Sequence, residues 1–162
     1  MKGATYEELT TDFKFESDPI TMTEAHVVAL GGLIGNLHPS HLSQHYSEEA
    51  GPFRQRVIHG ELTHSLMVSG FAQVLRETSQ GQLGAAYRLL EPVFIGDTIY
   101  TEITVKEKRE TSKPGRGFVR FEMRTYKQDG ACVAEGTADF LVSTRHLPIY
   151  PAETPAGKAE RD

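Results

Sequence analysis

The sequence predicts an α+β fold in which one antiparallel sheet wraps around a long central helix. Three observations carry that reading. From Gly60 onward the apolar residues Leu62, Leu66, Met67, Gly70, Phe71, Val74 and Leu75 recur near a 3.6-residue period. Beyond Ile99 the period changes to two, as it must when successive side chains point to opposite faces of a strand. Asp129-Gly130 lies between the last two alternating runs, and both residue types tolerate the positive φ of a tight hairpin.

In chain order, Phe13-Lys14-Phe15 is a candidate strand within a mixed polar N-terminus. Thr21 or Thr23 can cap a helix over 24–33, because either hydroxyl can accept a bond from a free backbone N–H. Gly31, Gly32 and Gly35 punctuate its end, and a short helix is expected from His41 to Ala50 before Gly51-Pro52. The long helix is expected from Gly60 to about Thr78, with Ser79-Gln80-Gly81-Gln82 as a loose turn. A strand is expected over 86–94, then three alternating strands. In these, Ile99, Thr101, Ile103 and Val105, then Val119, Phe121 and Met123, then Cys132, Ala134, Gly136, Ala138, Phe140 and Val142 face the core. Cys132 is read as inert core. A sheet with one apolar face needs a cover, and one long helix is the only large cover in the chain. That arrangement is the hot-dog architecture. Residues 1–148 are expected to form this single domain and 149–162, rich in Pro, Ala and charge, a flexible tail. Such a sheet has open edges, so a homodimer or higher homo-oligomer is expected.

The 162 residues carry a net charge of −5 with scattered basic residues, which gives no electrostatic footprint for nucleic acid or an anionic membrane surface. No apolar run approaches the ~20 residues of a membrane span, and the N-terminus has no basic-then-apolar signal pattern. The single Cys132 cannot form an intramolecular disulfide and fits a reducing compartment, so a cytoplasmic protein is expected. His38, His41 and His45 cluster, but no Cys or acidic residue completes a metal-ligand spacing, so no metal and no cofactor are expected.

Three motifs remain. Asn36-Leu37-His38-Pro39-Ser40-His41 forms a loop; Arg56-Val57-Ile58-His59-Gly60, with Leu62 and Ser65-Leu66, opens the long helix; Pro92-Val93-Phe94-Ile95-Gly96-Asp97-Thr98 leads into a strand. Together they resemble, in order and spacing over roughly residues 20–143, the MaoC-like dehydratases, which include the (R)-specific enoyl-CoA hydratases. The resemblance implies an acyl-CoA thioester substrate, hydration or dehydration at a 2-enoyl or 3-hydroxyacyl thioester, and a site at a subunit interface. The family's loop reads Asp-x-Asn-Pro-x-His. Carried over, His41 is the catalytic histidine, the Gly60 N–H is the oxyanion donor, and Asn36 occupies the position of the catalytic Asp. An amide can orient water but cannot accept a proton at neutral pH. His38, in place of the family's Asn, is a candidate base, and His59, Glu61 and Ser65 are candidate substrate contacts. With Asn36 marking a lost base, a protein that binds acyl thioesters without turnover is an alternative, and a hot-dog thioesterase is a third.

Overall fold

The computed structural model describes residues 2–148; the tail expected over 149–162 lies outside the described residues. Six strands, β1 (Lys14–Glu16), β2 (Ile20–Thr21), β3 (Ser79–Leu89), β4 (Thr98–Glu110), β5 (Arg116–Lys127) and β6 (Cys132–Ser143), form one antiparallel sheet. Its order is β1-β4-β5-β6-β3, with β2 beside β1 on the outer side of β4. Five helices are interleaved: α1 (Glu24–Ile34), α2 (Pro39–Leu42), α3 (Gln44–Glu49), α4 (Gly60–Ser69) and α5 (Phe71–Val74).

The period-two pattern does what it predicts. Ile99, Thr101, Ile103 and Val105 of β4 are buried, Met123 and Phe121 of β5 pair with Ile103 and Val105, and Val119 lies buried further along β5. Met67, Phe71, Val74 and Leu75 from the helical layer close over this face. Phe71 packs against Phe121 and Phe140 with ring centroids 5.0 and 4.6 Å apart, in tilted geometry that suits the ring quadrupoles. Each such buried side chain contributes about 1.5–3 kcal/mol. A second cluster of Met22, Val27, Ile58, Leu62, Val93, Ile99 and Val133 joins α1 to the start of α4. The chain is a hot-dog domain, and its second cluster holds the loop of interest.

Several elements depart from expectation for identifiable reasons. The long helix is not continuous to Thr78: α4 ends at Ser69, α5 follows Gly70, and a 3-10 turn covers Arg76–Thr78. Ser69 Oγ donates back to the Leu66 carbonyl, and Gly70 is a poor helix former. A Cβ at Gly70 would stand 2.9 Å from Ile103 Cδ1, so glycine there lets the helical layer sit close on β4. The expected 41–50 helix is two pieces, broken at Ser43, whose extended backbone ends α2 and whose Oγ accepts from Tyr46 N–H at the start of α3. The expected turn at 79–82 is the beginning of β3, and the expected strand end at Phe94 is a lone bridge to Val57. Gly81 (φ +141°) and Gly84 lie at register shifts of β3 against β6, which makes the segment look loose in sequence. Cys132 is half-buried rather than core, because an irregularity at Thr125/Tyr126 passes over Val133 and turns that residue inward. Thr23, not Thr21, caps α1, its backbone N–H donating to His26 Nδ1 at 3.0 Å. Leu9, from the N-terminal segment that reads as polar, is fully buried in the main core cluster.

Candidate active site

Gly35 ends α1 in the left-handed region (φ +75°), a turn glycine makes without steric cost, and it sends residues 36–41 across the N-terminus of α4. Two histidines fix that loop. His59 is fully buried, and its Nε2–H donates to the Asn36 carbonyl at 2.9 Å. The acceptor is a carbonyl, so Nε2 carries the proton. Gly31 makes room for this bond: a Cβ there would lie 3.2 Å from Asn36 O and 3.3 Å from the His59 ring. His41 stacks on His59 with centroids 4.0 Å apart. Its Nδ1–H donates to the Val57 carbonyl at 2.9 Å, which leaves Nε2 as the nitrogen with a free lone pair. Burial pushes the His41 pKa below 6.5, the Val57 bond works against that shift, and the ring is neutral at pH 7.

The other expected residues are placed as follows. Gly60 is the first residue of α4, where helix geometry leaves its N–H without an intrahelical partner at the positive end of the helix dipole. A Cβ at Gly60 would stand 2.5 Å from Leu89 Cδ1, so glycine lets the Leu89 tip lie close over this amide. Asn36 is half-buried, and its Nδ2 reaches Glu61 Oε1 at 3.4 Å. His38 caps α2: its Nδ1 accepts from Ser40 N–H at 3.2 Å and lies 2.7 Å from Ser40 Oγ. Ser65, a candidate substrate contact, instead donates its Oγ–H to the Glu61 carbonyl in the turn before it. His59 does not face a ligand either, since its side chain is enclosed under the loop. Sequence reading missed Gly31 as the spacer beneath His59, and its one visible trace was the Gly31-Gly32 pair.

His41 and Gly60 share a cleft of about 390 Å³, within the range of small-molecule sites. Val57, Ile58, Thr63 and Phe53 wall one side and Leu89, Leu90, Glu91, Pro92 and Val93 the other. Asn36, His38 and Glu61 are not among its walls. Leu89 and Leu90 carried no motif and are recognisable only as exposed leucines. A second, more open depression of about 430 Å³ lies on the outer sheet face. It is bordered by the ion pairs Arg88–Glu135 and Lys106–Glu122 and holds no nucleophile or base of low exposure. Among the described residues, no group of three His, Cys, Asp or Glu side chains could hold a metal ion.

A sheet wrapped on a helix, with a histidine loop closing over the helix's glycine N-terminus, defines a class of hot-dog proteins. The chain belongs to the MaoC-like domain family, whose model matches residues 7–126. It is 29% identical over 130 residues to the (R)-specific enoyl-CoA hydratase of Rhodospirillum rubrum, covering 77% of this chain and 83% of that one. It is 30% identical over 114 residues to the (R)-specific enoyl-CoA hydratase of Aeromonas caviae, covering 70% and 81%. Among solved structures, the unliganded R-hydratase of Pseudomonas aeruginosa superposes with a TM-score of 0.77 at 29% identity, covering 93% of each chain. These likenesses support a hydratase function in general terms.

Proposed function

We propose that the chain is an acyl-CoA hydratase/dehydratase, adding water to a 2-enoyl thioester or removing it from a 3-hydroxyacyl thioester. The observation that carries this reading is the pairing, in one cleft, of a neutral histidine whose tautomer is fixed and a free helix-start amide. Hydration needs a proton acceptor for water as it attacks C3 and a donor for the charge that develops on the thioester oxygen. His41 Nε2, with its lone pair free, binds the attacking water, and the Gly60 N–H serves the thioester oxygen. Asn36, a side chain whose Oδ1 can accept from water, orients the nucleophile. His59 acts through the loop, holding Asn36 by its carbonyl and His41 by stacking. The apolar walls Leu89, Leu90 and Val93 receive the acyl chain.

The protein is further proposed to work in the cytoplasm and as a dimer. Support for the dimer is β3, an edge strand that among the described residues pairs only with β6 and exposes Leu83, Tyr87 and Leu89. Sedimentation at micromolar concentration tests it, and a monomer would refute it. No described helix is long and apolar enough to cross a bilayer.

The activity is tested by following loss of the enone absorbance of crotonyl-CoA and longer 2-enoyl-CoAs. Turnover that disappears in His41→Ala supports the reading; a wild-type protein silent across the panel refutes it. Asn36 favours one second reading, a protein that binds acyl thioesters without turning them over. Calorimetric binding of acyl-CoA by that silent protein would establish it.

A further inference from the structure

The chain lacks a carboxylate at position 36, yet a carboxylate stands beside it. Glu61 Oε1 lies 3.4 Å from Asn36 Nδ2, brought there from α4 across the loop. A glutamate in a helix's first turn is favourable to the helix on its own account. That does not explain why its side chain turns toward the Asn36 amide. Among the described residues Glu61 forms no ion pair, so its charge is not neutralised by a neighbouring cation. It directly follows Gly60, whose amide opens on the cleft, and its charge is felt at His41.

We propose that Glu61 supplies the proton acceptor that Asn36 cannot, so that the catalytic dyad of this chain is His41 and Glu61. This rests on the hydratase reading. Asn36 becomes the positioning residue: its Nδ2 steadies the Glu61 carboxylate, and its Oδ1 remains free to accept from water. In the hydration direction the water oxygen bonds to C3, and the C2=C3 pair shifts onto the thioester oxygen at the Gly60 N–H. The Glu61 carboxylate takes the water's proton, with His41 Nε2 accepting the second O–H as a hydrogen bond. The thioester carbonyl re-forms as C2 takes the proton back from Glu61. One water is consumed, Glu61 ends ionised as it began, and no oxidant or further reactant is required.

The test compares wild type, Glu61→Gln, Asn36→Asp/Glu61→Gln and His41→Ala on crotonyl-CoA, with kcat and KM followed separately. Glu61→Gln keeps the side chain's size and its contact with Asn36, and its melting temperature should match wild type. Its kcat should fall about 10²–10⁴-fold while KM stays within about threefold of wild type. The double variant returns a carboxylate to the loop and should recover at least about tenfold of that loss. Glu61→Gln within twofold of wild type would overturn the assignment while leaving the hydratase reading intact. A loss carried by KM rather than kcat, or no recovery in the double variant, would also overturn it. A wild-type enzyme inactive on every enoyl-CoA would overturn both.

Discussion

Replacing His59 by Phe should separate stability from activity. The ring is fully buried, stacks 4.0 Å from His41, and makes one hydrogen bond, from Nε2–H to the Asn36 carbonyl. Its Nδ1 is also buried and has no partner. Phenylalanine retains the stack and, over the bare Cα of Gly31, the space. It loses a bond worth about 1 kcal/mol net and removes an orphaned nitrogen whose burial costs about 1–3 kcal/mol. The two effects oppose each other, so the melting temperature should move by no more than about 2–4 °C, the shift expected of 1 kcal/mol in a domain of this size. The loop has no such offset. Without the bond, the Asn36 segment is free to leave its place, and 1–2 kcal/mol of lost bias is a factor of about 5–30 in the population of the competent loop. Enoyl-CoA turnover should fall by that factor, and amide hydrogen exchange at residues 36–38 should quicken. His59→Gln, which can carry an N–H close to the Nε2 position, should recover most of the rate. Turnover and exchange both at wild-type level in His59→Phe would refute the claim that this bond holds the loop.

Other outcomes follow from the same geometry. His41 and His64 have pKa values below 6.5, burial being the leading cause for each. A depressed folded-state value means that the unfolded chain takes up protons first. Stability from these two groups is therefore complete above about pH 6.5 and is lost as pH falls through the folded values. Melting scans from pH 8 to 5 should show the decline, flattened in His41→Gln, while kcat/KM holds its plateau through pH 6.5. Gly60→Ala places a methyl 2.5 Å from the tip of Leu89. Leu89 is exposed and can swing away, so the protein should fold, while hydration should drop about 10²–10³-fold as the amide is shielded. Arg56 pairs with Glu24 and donates to the Leu42 carbonyl, tying the start of α1 to the end of α2. Arg56→Met should lower stability by about 1–2 kcal/mol in urea unfolding, and equal midpoints would discount the clamp.

The fold was legible where one face alone is buried. The alternations in β4 and β5 could be read because a one-residue slip would have exposed Ile103 or Phe121. The strand expected over 86–94 overlaps β3 only at its end, and the start of β3 was missed because it lies on an edge with both faces largely open and nothing enforces a pattern on it. Val133 and Cys132 exchanged roles at an irregularity that leaves no mark in residue type. In the site, His41 and Gly60 stood out through their motifs. His59 was misread because sequence shows a histidine but not which way it turns, and here it turns inward to a backbone carbonyl. The Asn36–Glu61 contact joins residues 25 apart across a loop, a distance no spacing rule spans.

Leu89 belongs to two places at once. It is the last residue of the open edge strand, and its tip lies over Gly60 inside the cleft. A strand laid along that edge would restrict this side chain, and a ligand seated at Gly60 would displace it. Each event therefore changes the free energy of the other, and by linkage the two effects are equal. Ligand affinity in this protein should depend on protein concentration, and self-association should depend on ligand.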